Sequence, residues 1–176
     1  TSNFLLSQGK KFGLSEEILG SAYKEYWIEN GKGTFIKDAA QTDITKQSKI
    51  SQLILFFDAI KGEMLDLRSQ VIPKNLANKV FSYNTLFLST SLAEHANQVP
   101  LMIAILKGTK VGKTNLYDII EQKEGEFFEF NWEKAGIDPN DVETQKQILL
   151  KAHTTIESAN FSAHGQYAKM SKSEIQ

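Results

Sequence analysis

The sequence predicts an all-α protein, a compact two-lobed helical core with an arm at each end. Three observations predict this class. Apolar residues recur at helical spacing, most clearly at Ile50, Leu53, Ile54, Phe57, Ile60 and Met64. The three prolines, Pro73, Pro100 and Pro139, each fall between apolar-periodic stretches, where helix punctuation belongs. The sustained apolar–polar alternation of a half-buried strand is absent from the sequence.

Taken in order, residues 1–13 read as a loosely structured arm. Phe4, Leu5, Leu6 and Phe12 are apolar and Gly9 and Gly13 loosen the backbone, so these side chains are candidates for docking on a neighbouring subunit. Ser15 is the expected N-cap of a first helix, with Glu16 and Glu17 in the turn that the helix dipole favours. Ile18, Ala22 and Tyr26 carry it to Asn30, and Gly31-Lys32-Gly33 breaks it. Asp43 or Thr45 opens a second helix. A third starts after Pro73 and runs to about Asn97. Pro100 then takes the first turn of a short apolar helix over 101–106. A basic turn from Lys107 to Thr114, a short helix with Leu116, Ile119 and Ile120, and the aromatic cluster Phe127, Phe128, Phe130 and Trp132 follow. Gly136-Ile137-Asp138-Pro139-Asn140 is a loop and 140–158 a helix, with Ile148, Leu149, Ala152 and Ile156 on its inner face. After Asn160 the tail is polar and ends in a short fraying helix. The expected division is an N-terminal arm over 1–13, an N-terminal lobe over 14–97 and a C-terminal lobe with tail over 98–176.

At 176 residues the chain can bury a sizeable core, and its 41% hydrophobic and 23% charged residues are ordinary for a globular domain. No apolar run approaches the roughly 18 residues of a membrane span. Phe4-Leu5-Leu6 is short for a signal sequence, with Lys10-Lys11 on its wrong side, so an intracellular chain without membrane partners is expected. Having no cysteine, the chain forms no disulfide, zinc–thiolate site or cysteine nucleophile. The net charge of −1 sets up no global field for nucleic acid, and Arg68 is the one arginine among 20 basic residues. That argues against base-specific reading of DNA, which relies on bidentate arginine, and leaves lysine contacts to a phosphate backbone open.

No stretch reads as a catalytic centre. Gly108-Thr109-Lys110-Val111-Gly112-Lys113-Thr114 resembles a phosphate loop, yet it has three residues between its glycines where four are needed, and an apolar helix stands where a strand should precede it. His95, His153 and His164 lack paired metal-ligand spacing; His95 is expected to cap carbonyls at a helix end and His153 to be partly buried. Glu121, Glu124, Glu126 and Glu129 surround a glycine turn and read as a solvated face. No metal or cofactor is expected. Tyr23, Tyr26, Tyr83 and Tyr117 have polar tips, so they are candidates for stacking on bases in a groove. Tyr83 and Asn84 lie near Lys74 and Lys79. Lys46, Lys49, Lys61 and Arg68 add cations, and Lys107, Lys110 and Lys113 form a flexible cationic turn. For all these lysines an ordinary solvated surface is the competing reading.

Several short motifs carry a family resemblance. Leu6-Ser7-Gln8-Gly9-Lys10 and then Ala22 to Asn30 resemble the opening of tospovirus nucleoproteins. Lys79-Val80-Phe81-Ser82-Tyr83-Asn84 and Gly125-Glu126-Phe127-Phe128-Glu129-Phe130 resemble two emaravirus motifs. Val99-Pro100-Leu101 and Ala135-Gly136-Ile137-Asp138-Pro139 are similar to the tospovirus C-terminal lobe. The shared order spans most of the chain and points to a bunyavirus-type nucleoprotein. The resemblance implies single-stranded genomic RNA held by its backbone in a cationic interlobe cleft. It also implies terminal arms that link protomers, a viral polymerase as a further partner, no enzyme activity, and residence in the host cytoplasm and the virion. The RNA-binding set it selects is Lys46, Lys49, Arg68, Lys74, Lys79, Tyr83, Asn84, Lys107, Lys110 and Lys113, with Phe4, Leu5, Leu6 and Phe12 for oligomerisation. A helical protein–protein interaction domain without RNA binding is the alternative, and it fits the near-zero charge.

Overall fold

The computed structural model describes residues 1–59 and 92–174, with side chains over 1–57 and 95–159. It is mostly helical. Helices α1 (Asn3–Lys11), α2 (Glu16–Gly31), α3 (Thr34–Ala40) and α4 (Lys49–Ala59) come first, and α5 (Leu92–Gly108) and α6 (Val142–Glu174) follow. Short 3-10 turns occupy Ile44–Lys46, Tyr117–Ile119 and Trp132–Ala135.

The centre of the fold is α5. Every residue from Val99 to Leu106 is buried, which marks a helix covered on all sides. Helices α1, α2 and α6 and the 117–119 turn pack around it, α2 most extensively. Leu19, Ala22 and Tyr26 form the buried stripe of α2, at the spacing that puts them on one face. Ser15 caps that helix as expected, its hydroxyl accepting from Ile18 N at 3.2 Å.

Several expectations need correction. Residues 3–11 form a capped helix, not a loose arm: the Ser2 hydroxyl accepts from Leu5 N at 3.1 Å, and Leu5 is in the core. Leu6 and Phe12 pack against the same core. Gly9 does not loosen the chain; a Cβ there would lie 2.3 Å from Leu19 Cδ2, so its lack of a side chain lets α1 close on α2. Pro100 does not begin a helix. It lies inside α5, where it removes one backbone donor, and the helix continues because its apolar surface is enclosed. The helix runs without a break through residues 97 and 98. The helix expected around Leu116 to Ile120 is a single 3-10 turn, because Asn115 Oδ1 accepts from Asp118 N at 3.0 Å and Ile120 turns into extended backbone. The C-terminal helix continues to Glu174, well past Asn160.

The chain is also not wholly helical. Strand β1 (Lys110–Val111) pairs antiparallel with β2 (Thr114–Asn115), and β3 (Ile120–Glu121) pairs with β4 (Glu129–Phe130). At two residues each, these strands are too short to leave a period-two signature in the sequence. The first pair is the basic turn. It follows a helix and makes a hairpin, so it has neither the order nor the shape of a phosphate loop. Gly112 sits at its tip with φ +53°, and a Cβ there would lie 2.0 Å from the Ala135 carbonyl oxygen. The aromatic cluster is core: Phe56 of α4 lies 5.3 Å from Phe128 and 5.5 Å from Phe130, edge to face.

Candidate functional site

A cleft of about 630 Å³ opens between two groups of elements. One wall comes from α2, α3, the 44–46 turn and the start of α4. Tyr117 and the β3–β4 loop, through Gln122, Glu124 and Gly125, supply the other.

The first wall is built around Asp38, a buried carboxylate on α3. It accepts from Ser48 N at 3.0 Å and from the Ser48 and Ser51 hydroxyls, all at the start of α4. The unpaired amides and the dipole at a helix N-terminus favour an anion, which is why this carboxylate tolerates burial. Gln47 Nε2 donates to the carbonyls of Asp38 and Gln41, closing the turn between α3 and α4. Gln52, fully buried on α4, then ties the walls together. Its Nε2 donates to Ile44 O at 2.9 Å and Glu126 O at 3.2 Å, while its Oε1 accepts from Phe128 N at 2.9 Å. Gln122 Nε2 adds a bond to Gln47 O at 2.8 Å.

Lys37, Lys46 and Lys49 line the cleft, facing the carboxylates Glu25, Glu29, Asp38 and Glu124. Most of those carboxylates are already engaged. Asp38 is held as above, Glu29 meets Lys32 at 3.3 Å, and Glu25 takes two partners. Lys46 lies 4.0 Å from Asp43. Lys37 and Lys49 form no ion pair among the described residues. Lys49 Nζ instead lies 4.6 Å from the centre of the Tyr117 ring, a cation–π distance.

Tyr117 links the cleft to α5. Its hydroxyl donates to Glu25 Oε1 at 2.6 Å; Lys107 Nζ meets Glu25 Oε2 at 2.9 Å, donates to Ser21 Oγ at 2.7 Å and lies 5.2 Å from the same ring. Burial, and then the carboxylate beside it, push the Tyr117 phenol far above its ordinary value, so it stays a donor.

Behind the first wall is a second buried polar group. Tyr26 OH and His95 Nδ1 are 2.6 Å apart, and the Phe35 ring lies 4.0 Å from the imidazole. Burial lowers His95 to about 4, despite the opposing charge of Asp38, and raises Tyr26 to about 12. His95 is therefore a neutral partner inside α5 and does not cap a helix end.

Comparison with family models, curated proteins and solved structures finds no match.

Of the residues expected to bind RNA, Lys46 and Lys49 line the cleft, and Lys107 reaches it through Glu25 and Tyr117. Lys110 and Lys113 are exposed on the β1–β2 hairpin and are not among the lining residues. Arg68, Lys74, Lys79, Tyr83 and Asn84, with Lys61, lie outside the described residues. Of the expected stacking tyrosines, Tyr26 is in the core and Tyr117 has its ring buried at the cleft edge, while Tyr23 packs edge-on to Trp27 at 6.2 Å. Lys37, Glu25 and Asp38 were not singled out from the sequence. Glu25 and Lys107 are too far apart in the chain for spacing to pair them, and Lys37 lies in a helix too short to leave a periodic pattern.

Proposed function

We propose that the chain is a nucleoprotein core that holds single-stranded RNA by its phosphate backbone, without base preference, and assembles with copies of itself. One observation carries this reading: Lys37 and Lys49 face a cleft of about 630 Å³ free of ion pairs among the described residues, while three of the four carboxylates around them are engaged elsewhere. A backbone reader needs available ammonium groups in a groove, not arginine forks. The two-lobed arrangement belongs to the same proposal. The cleft is lined by residues 25–50 on one side and 117–125 on the other, so its walls come from the two sides of the expected division at 97/98. The order of motifs resembling bunyavirus-type nucleoproteins supports the reading independently. A viral polymerase as partner and residence in host cytoplasm and virion follow from that resemblance.

The test is fluorescence anisotropy with a labelled 20-nucleotide oligouridine at several salt concentrations. Binding should weaken steeply with salt, and Lys37→Glu with Lys49→Glu should flatten the log–log slope by about 1.4, from roughly 0.7 per phosphate contact on a single strand. No binding at low salt, or a slope unchanged by the double variant, would refute the proposal. A protein–protein interaction domain is the second reading, favoured by the exposure of Trp27 (44%), Ile28 (50%) and Ile36 (75%) on α2 and α3.

A further inference from the structure

We infer that Lys107 and Tyr117 form a phosphodiester subsite of the cleft, which Glu25 fills as an internal ligand until an RNA phosphate displaces it. The inference rests on the RNA-binding reading and adds a specific site and its regulation. The Glu25 carboxylate is held as a bound anion would be. One oxygen accepts from the Tyr117 hydroxyl at 2.6 Å, and the other meets Lys107 Nζ at 2.9 Å. Both donors are held in place. Tyr117 is 4% exposed and the Lys107 side chain 17% exposed, anchored further by Ser21 Oγ at 2.7 Å. Lys49 and Lys107 both approach the Tyr117 ring, so two cations converge on the group that grips the carboxylate.

Glu25 itself is not sealed in. Its side chain is 33% exposed, and it lines the cleft together with Tyr117 and Lys49. A phosphodiester, like a carboxylate, carries one negative charge over two terminal oxygens and accepts from the same hydroxyl and ammonium donors. A side chain on α2 can rotate away from them, whereas the donors cannot easily move. Exchange is therefore a competition between two anions for one receptor. It lowers RNA affinity by the occupancy of the internal ligand.

The experiment measures oligouridine affinity for the full chain and four variants, with circular dichroism melts to confirm folding. Glu25→Gln removes the competing charge and should tighten binding about tenfold. It should also steepen the salt slope by about 0.7, because Lys107 becomes available to a phosphate. Adding Lys107→Gln to Glu25→Gln should cancel both changes. Glu25→Asp keeps the charge but shortens the reach to Tyr117 and Lys107, and should tighten binding by an intermediate amount. Glu29→Gln removes a charge from the same cleft without touching the receptor and should change affinity by about twofold at most. If the full chain binds RNA but Glu25→Gln and Glu29→Gln behave alike, or Glu25→Asp leaves affinity unchanged, the subsite is refuted and RNA binding stands. If the full chain does not bind at low salt, the RNA-binding reading falls and the subsite with it.

Discussion

Gln52→Leu should destabilise the protein, although it replaces a polar side chain by an apolar one of similar size at a fully buried position. The amide of Gln52 donates to Ile44 O and Glu126 O and accepts from Phe128 N. Ile44 O keeps a bond from Gln47 N at 3.1 Å and Glu126 O one from Gln122 Nε2 at 3.4 Å, so Phe128 N is the buried group left without a partner. Leucine fills the space, so cavity formation contributes little. A buried orphaned donor costs about 1–3 kcal/mol. At about 2–4 °C per kcal/mol for a domain of this size, a loss of about 2 kcal/mol should lower the melting midpoint by roughly 4–8 °C. The assay is thermal unfolding followed by circular dichroism at 222 nm, with Gln122→Leu as a control that loses a bond from a less buried side chain. The reasoning also requires a loss of RNA affinity below the new midpoint, since Gln52 joins the two cleft walls. A Gln52→Leu protein within about 0.5 kcal/mol of the parent would refute the account of how the walls are held.

Three further outcomes follow from the same geometry. Gly112→Ala should destabilise by about 2–4 kcal/mol, because a left-handed backbone costs about 1 kcal/mol with a side chain and the shift forced by the new Cβ, 2.0 Å from the Ala135 carbonyl oxygen, costs about 1–3 kcal/mol more. Gly125→Ala shares the positive φ but meets nothing within 4 Å, so only the first cost applies; equal midpoints for the two variants would overturn the packing argument. For His95 the folded value is depressed, to about 4 from 6.5, so the unfolded chain takes up a proton before the folded one does. The neutral-state preference is fully present above pH 6.5 and is lost as the pH falls towards 4, which amounts to about 3 kcal/mol. The stability difference between the parent and His95→Gln should therefore narrow between pH 7 and 4.5, read as the difference in urea midpoints; a constant difference would contradict a buried neutral imidazole. Asp38→Asn should destabilise the start of α4 by about 1–3 kcal/mol, since it removes the carboxylate that accepts from Ser48 and Ser51. Rescue by Asp38→Glu is not expected, because the longer side chain moves the oxygens off those three donors.

The sequence by itself determined the features that depend on neighbours a few residues away. The helical class is legible in apolar spacing, and the Ser15 cap in a serine followed by two glutamates. The inner face of α6 at Leu149, Ala152 and Ile156 and the core run 101–106 are legible in the same way. Each is a local property, because a helix satisfies its backbone within four residues and shows its buried face as a period. Tertiary structure decided the rest. It carried α5 through Pro100, since enclosure outweighs the loss of one backbone bond. It turned a would-be arm into a core helix, because Gly9 leaves room for Leu19. It also built the cleft's edge and the buried pair behind its wall from partners distant in sequence: Tyr117 with Glu25 across 92 positions, Lys107 with Ser21 across 86, and Tyr26 with His95 across 69. No spacing rule reaches that far. Such pairs form where helix packing brings two surfaces together, and which polar groups then meet depends on helix orientations that local periodicity does not encode.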